Sequence, residues 1–164
     1  MVIINVESPR EIDRIRRLFR EYEAYLDVDL CFQQFESELA ELPGRYAPPS
    51  GALLLAADGD EALGCGALRR FGAVEERTCE MKRLYVRPEA RMLGVGRKIA
   101  GRLIDEGARL GYSTMVLDTL ERLEPAIGLY RSLGFRPMEP YYFNPLPDVA
   151  YWKLDLRGLS GMQG

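Results

Sequence analysis

Apolar residues recur along this chain with two periods, and the changes between them predict its elements. Val2 to Val6 is a short apolar run of strand length. Ser8-Pro9-Arg10-Glu11 follows with an N-cap hydroxyl, a first-turn proline and a glutamate at capping-box spacing, which together start a helix. Ile12, Ile15, Leu18, Phe19, Tyr22 and Leu26 then hold an apolar stripe at helical spacing to about Tyr25. A second helix is predicted over Phe32 to Leu42, with Phe32, Phe35 and Leu39 on one face and Pro43-Gly44 ending it.

After the rigid loop Pro48-Pro49-Ser50-Gly51 the pattern turns to strands, Ala52 to Ala57 and Ala62 to Phe71, joined by a hairpin at Asp58-Gly59-Asp60. The connector Gly72 to Arg77 leads to a further strand, Cys79 to Val86, which stops at Arg87-Pro88-Glu89. Helical spacing returns from Val95 to Leu110, with Val95, Ile99, Leu103 and Ile104 inward and Gly111 as the stop. Ser113 to Asp118 reads as a strand and Pro125 to Leu133 as a helix ended by Gly134. Phe135 onward and Ala150 to Leu156 read as the last two strands, with Tyr141-Tyr142-Phe143-Asn144-Pro145 between them. No repeat, low-complexity tract or linker interrupts this order. Residues 1–157 therefore read as one α/β domain, and residues 158–164 as a frayed tail.

Composition acts mainly by exclusion. A length of 164 residues suits one domain with a full-sized core, and 47% apolar with 29% charged residues is ordinary for a globular chain. A net charge of −3, from 22 basic and 25 acidic residues, gives no electrostatic case for nucleic acid as a partner. Basic residues do cluster at Arg14, Arg17 and Arg20, which reads as a solvated helix face, and again from Lys82 to Lys98. Cys31, Cys65 and Cys79 are odd in number and lack ligand spacing, and histidine is absent, so neither a metal site nor a disulfide framework is expected. Histidine bases are excluded, leaving carboxylates, tyrosine, lysine, cysteine or water for proton transfer near neutral pH. No apolar run approaches about 18 residues, and no secretory signal is visible, so a cytoplasmic location without a membrane partner is expected.

The chemistry concentrates where the Cys79–Val86 strand meets the next helix. The loop Arg91-Met92-Leu93-Gly94-Val95-Gly96 opens directly into that helix. Glycine lets a backbone turn sharply and approach a ligand closely, and helix N-termini offer unpaired N–H groups that suit a diphosphate. Arg91, Arg97 and Lys98 add formal positive charge beside those amides. A Rossmann fingerprint would need glycine where Ile99 stands, and a Walker loop would need Gly-Lys-Ser/Thr where Gly96-Arg97-Lys98 stands, so both nucleotide readings fall. A two-glycine loop also serves as a plain strand–turn–helix connection, so its context has to decide.

That context is an Arg-x-x-Gly-x-Gly loop after a strand ending Leu84-Tyr85-Val86, with Ala126-Ile127-Gly128-Leu129-Tyr130 and Gly134-Phe135 downstream. Together these resemble the GNAT N-acetyltransferase superfamily over roughly Leu53 to Pro137. The resemblance implies the α/β (α+β) GNAT fold: a mixed, mostly antiparallel sheet of six to seven strands, flanked by about four helices and splayed between strands 4 and 5 to admit pantetheine. It implies direct, acetyl-CoA-dependent transfer of an acetyl group, without a metal, to a primary amine of a small molecule or amino acid in a ternary complex. Protein or peptide acetylation, and a non-catalytic acyl-CoA sensor, are the alternatives. A sensor needs neither Glu80 nor Tyr130.

Residue by residue, the resemblance makes Glu80 the base that takes the amine proton. Ignoring any bulge, strand alternation also puts Glu80 on the face of Lys82, Leu84 and Val86; the alternative is a strand residue paired with Lys82 or an arginine. The backbone N–H of Leu84 becomes the oxyanion donor, a type of contact whose removal typically costs about 3–4 kcal/mol. The segment Leu84-Tyr85-Val86 lines the pantetheine, with Val86 pairing its backbone as an added strand would. Tyr130 becomes the proton donor to the leaving sulfur, against the alternative of a core tyrosine packing with Ile127 and Leu133. The amides of Met92, Leu93, Gly94, Val95, Gly96 and Arg97, with Arg91 and Lys98 nearby, hold the pyrophosphate. Acceptor candidates are Tyr22, Tyr25, Asp27, Asp29, Gln33, Asp118, Tyr141, Tyr142 and Asn144, and a homodimer is allowed for by analogy alone.

Overall fold

The chain is described here by a computed structural model covering residues 1–159, so nearly all of the tail expected at 158–164 lies outside the described residues. β1 (Val2–Asn5) leads into α1 (Pro9–Leu26) through the capping box. Glu11 N–H donates to Ser8 Oγ at 3.2 Å, and Ser8 N–H donates to Glu11 Oε1 at 3.0 Å. Ile12, Ile15, Leu18, Phe19 and Leu26 are the buried stripe of α1. α2 (Phe35–Glu41) is shorter than its apolar spacing predicts. A single 3-10 turn at Cys31–Gln33 is followed by Gln34 with φ 57°, a left-handed conformation that separates Phe32 from the helix.

β2 (Ala52–Asp58), β3 (Glu61–Phe71) and β4 (Thr78–Val86) form an antiparallel meander. α3 (Val95–Arg109), β5 (Thr114–Leu120), α4 (Glu124–Ser132), β6 (Arg136–Met138) and β7 (Val149–Asp155) complete the described chain. The sheet has seven strands in the order β1-β2-β3-β4-β5-β7-β6, with β4 and β5 parallel and the other neighbours antiparallel. This is the mixed α/β architecture expected of the sequence. No described helix is long and apolar enough to cross a membrane.

One face of the sheet packs Leu54, Leu68, Cys79, Met81, Met115 and Leu117 against Ile99 and Leu103 of α3 and Tyr130 of α4. The other packs Leu53, Leu55, Cys65, Ala67 and Tyr85 against α1 and α2. α3 lies so close to β3 that a Cβ on Gly66 would stand 2.7 Å from Ile99 Cγ2 and 2.9 Å from Leu103 Cδ1. Only glycine fits there.

Two irregularities in β4 shape the site. Register with β3 jumps from Cys65↔Tyr85 to Ala67↔Lys82, and Arg83 carries φ 61°, so β4 holds a bulge. Glu80, Lys82 and Arg83 face α1 and α2, where Lys82 meets Gln33 and Arg83 meets Glu38. Leu84 and Val86 then turn to the α3–α4 core. The alternation expected for an unbulged strand is thereby corrected: Glu80 shares its face with Lys82, but not with Leu84 or Val86. Pairing of β4 to β5 also stops early, covering only Thr78↔Thr114, Cys79↔Met115 and Glu80↔Val116. Beyond Glu80 the two strands part, as a splayed sheet requires.

Candidate active site

The parting of β4 from β5 leaves a narrow cavity of about 50 Å³ in the middle of the molecule, lined by Tyr22, Gln33, Lys82, Leu84, Asp118 and Tyr130 among others. A wider cavity of about 630 Å³ lies between α2 and the sheet, lined by Phe32, Glu38, Arg45, Arg69, Phe71 and Tyr142. Gln33 and Lys82 line both, and so stand where the two meet.

Leu84 sits at the floor of the narrow cavity, just past the bulge, with no partner in the register of β3 or β5. Its N–H is released from the sheet at the place where a thioester oxygen needs a donor. Tyr130, on α4, is buried with its ring edge-on to Phe135 at 5.8 Å, and it lines the same cavity. Burial pushes its phenol above the ordinary tyrosine range, with Tyr22 and Asp118 adding to the effect. The hydroxyl therefore stays protonated, as a donor must.

Glu80 is 1% exposed and lines neither cavity. Arg69 Nε donates to its Oε1 at 2.9 Å, and the Tyr141 hydroxyl donates to its Oε2 at 2.6 Å. The Tyr141 ring is itself wedged between Phe71, Tyr142 and Tyr151. Both oxygens of this carboxylate are thus occupied by the protein. Asp118 is placed differently. β5 runs on to Leu120, so Asp118 lies inside a strand, opposite Tyr151, and reaches the narrow cavity. The Tyr142 hydroxyl and Asn144 Nδ2 (2.9 Å) both donate to its Oδ2.

Lys82 is almost as enclosed as Glu80. Its Nζ donates to Gln33 Oε1 at 3.0 Å, while Gln33 Nε2 donates to the Tyr142 hydroxyl at 3.2 Å. Burial, with Arg83 adjacent, lowers the Lys82 ammonium to about 8. Arg83, next in sequence, makes a two-pronged pair with Glu38 at 2.9 Å on each prong and lies over the Phe35 ring. Sequence reasoning placed Lys82 only within a basic cluster. A signal was available: three consecutive-to-alternating charges, Glu80, Lys82 and Arg83, stand in a strand whose other members are mostly apolar.

At the far end of the cleft, the loop before α3 has the predicted form. Gly94 is the N-cap at φ 76° and Met92 also has a positive φ of 69°. Lys98 N–H is the first to find an acceptor in the helix, Gly94 O at 3.1 Å, whereas the N–H groups from Met92 to Arg97 have no backbone acceptor. A Cβ on Gly96 would meet Val86 Cγ2 at 3.5 Å and Leu129 Cδ2 at 3.7 Å, which is ordinary contact. Nothing in the chain demands glycine there, whereas a diphosphate pressed against the backbone would. Arg91 Nε donates to Val86 O at 3.1 Å and its guanidinium lies 4.5 Å from the centre of the Tyr25 ring. Arg97 is tied to Ser132 on α4, and Lys98 is exposed. The residues present therefore fit a CoA diphosphate at this helix terminus.

Of the acceptor candidates, the structure brings Tyr22, Gln33, Asp118, Tyr142 and Asn144 to the two cavities. It does not bring Asp27 or Asp29: Asp27 is the left-handed C-cap of α1, Asp29 accepts from Cys31 N–H, and both border a shallow surface hollow. Tyr25 packs against Tyr85, whose side chain points to α1 and away from Leu84 and Val86.

Comparison with known proteins agrees with this geometry. Residues 12–135 match the model of the acetyltransferase (GNAT) family. An uncharacterised N-acetyltransferase of Schizosaccharomyces pombe is 46% identical over 152 residues, covering 92% of each chain. An IAA acetyltransferase of Azospirillum brasilense is 34% identical over 148 residues, covering 88% of this chain and 93% of that protein. Among solved structures, an acetyltransferase from Salmonella typhimurium with its cofactor acetyl-CoA superposes with a TM-score of 0.67 at 24% identity, over 95% of this chain and 94% of that one. The cleft between β4 and β5, the amides before α3 and these likenesses converge: the chain belongs to the GNAT family of acetyltransferases.

Proposed function

We propose that this protein acetylates the primary amine of a small molecule, using acetyl-CoA as donor within a ternary complex. When bound, acetyl-CoA supplies the thioester whose acyl carbon the amine attacks, giving an amide and the free thiol of CoA. The amides from Met92 to Arg97 hold the diphosphate, and the open edge of β4 guides the pantetheine arm by backbone pairing at Val86. The Leu84 N–H donates to the thioester oxygen as it gains negative charge. Tyr130 gives its proton to the departing sulfur.

The amine arrives protonated, so a base has to take a proton before attack. Asp118 lines the cavity, whereas Glu80 is enclosed by Arg69 and Tyr141. The reading adopted here gives proton acceptance to Asp118, with Tyr142 and Asn144 orienting it, and gives Glu80 the task of holding Arg69 and Tyr141 in the acceptor wall. A bounded cavity of about 630 Å³ on the acceptor side favours a small molecule over a peptide chain.

The observation that carries this reading is the separation of β4 from β5 beyond Glu80. Its test is a panel of amines incubated with acetyl-CoA while released CoA thiol is measured. Turnover with at least one small amine is the expected result. Failure of every amine, together with no rise in Tm on adding acetyl-CoA, would remove the proposal.

A further inference from the structure

Lys82 holds a positive charge at the junction of the two cavities, 8% exposed, with only a neutral amide oxygen, Gln33 Oε1 at 3.0 Å, for a partner. Among the described residues, no carboxylate lies within ion-pair distance of its Nζ. The neighbouring acids are already committed: Glu80 to Arg69 and Tyr141, Glu38 to Arg83, and Asp118 Oδ2 to Tyr142 and Asn144. An ammonium taken out of water without a counter-charge is unfavourable, and an anion delivered to the site relieves that cost. Across the cleft, Asp118 is the complementary case, a carboxylate that no cation pairs among the described residues.

Two unlike charges on the facing strands β4 and β5, not paired with one another, match the two charges of a zwitterion. We infer that Lys82 and Gln33 receive the carboxylate of the acceptor, so that the substrate is an amine carrying a carboxylate beside its amino group, an α-amino acid. This rests on the acetyltransfer reading above and names its substrate class. With the carboxylate at Lys82, the amino group points into the narrow cavity toward Asp118 and the Leu84 N–H. The side chain is left in the wide cavity, where Phe32, Phe71 and Tyr142 offer ring surfaces. An aromatic or large apolar amino acid fills it best.

The test compares phenylalanine, phenylalaninamide and phenethylamine as acceptors for the wild-type protein, measured by released CoA thiol. These share the ring and the amine and differ at the carboxylate. Phenylalanine is expected to exceed the other two by at least about tenfold in kcat/KM, because they leave a buried charge unmatched. Lys82→Met is expected to raise KM for phenylalanine by about tenfold or more and to abolish the preference, with KM for acetyl-CoA unchanged. A lysine that merely braced the Gln33 turn would not shift KM according to the presence of a carboxylate. Equal use of the amide or the decarboxylated amine, or a preference that survives Lys82→Met, overturns the inference while leaving acetyltransfer intact. If none of the three releases CoA although acetyl-CoA raises Tm, calorimetric titration into the CoA complex decides. Carboxylate-dependent binding that Lys82→Met removes upholds the acceptor site, and no such binding overturns it.

Discussion

Lys82 and Arg83 are consecutive in β4 and point to the same side of the sheet, because Arg83 adopts φ 61° and inserts a bulge. A left-handed arginine costs on the order of 1–3 kcal/mol and persists only where its surroundings hold it. Here the two-pronged pair with Glu38 of α2 and the Phe35 ring do so. The bulge rotates the rest of the strand: it presents Lys82 to the acceptor side, frees Leu84 from sheet pairing and sends the Leu84 and Val86 side chains into the opposite core.

Breaking that brace strands a buried charge. Burial by itself would raise the Glu38 carboxyl, yet Arg83 holds it below its ordinary range. Arg83→Met should therefore lower unfolding stability in urea by about 3–5 kcal/mol. The double variant Arg83→Met with Glu38→Leu should recover most of that, since no unpaired charge then remains. A single variant as stable as wild type would show that the pair does not hold the bulge.

Tyr130 separates packing from chemistry. Tyr130→Phe keeps the ring against Phe135 and removes only the hydroxyl that faces the cleft. kcat should fall about a hundredfold, with KM for acetyl-CoA within a few-fold and Tm nearly unchanged. An unaltered kcat would return Tyr130 to a purely structural role.

The two carboxylates are distinguished by parallel variants. Asp118→Asn should reduce kcat by about a hundredfold or more. Glu80→Gln should keep kcat within about tenfold of wild type while lowering Tm, since it weakens the contacts to Arg69 and Tyr141. The reverse order of rate losses would give proton acceptance to Glu80.

Gly96→Ala tests the diphosphate cradle without endangering the fold. The added methyl has room beside Val86 and Leu129, and alanine is favoured over glycine within a helix by about 1 kcal/mol. Tm should hold or rise while acetyl-CoA, followed by titration calorimetry, binds more weakly by about tenfold. Undiminished affinity would mean that no ligand approaches this backbone closely.

Lys82 should leave a signature in stability against pH. Its folded value, about 8, lies below the model value of 10.5 for a free lysine, so between those values the unfolded chain binds more protons. Stability then rises with pH through that window, and below about 8 the burial of the charge is felt in full. Lys82→Met removes the charge and should be more stable than wild type at pH 7, by an amount on the order of 3 kcal/mol. The gap should narrow from pH 8 toward pH 10, read as Tm of the two proteins in the same buffers. A gap independent of pH would contradict a depressed lysine.

What the sequence by itself determined is local. The Ser8–Glu11 box, the stripe of α1, the hairpin near Gly59 and the Gly94–Gly96 entry to α3 each depend on residues a few positions apart, so propensity and spacing suffice to read them. Tertiary structure decided the rest. Gln34 and Arg83 occupy left-handed conformations that no propensity assigns to glutamine or arginine, and only distant partners compensate them. The pairs that give Glu80, Lys82 and Asp118 their different surroundings join α2, the sheet and the Tyr141–Asn144 segment, 11 to 61 residues apart along the chain. A carboxylate becomes buried, paired or available through burial and geometry, which residue type and spacing do not contain. The same residues in an unbulged, unsplayed sheet would offer neither a free Leu84 amide nor a lysine facing the acceptor cavity.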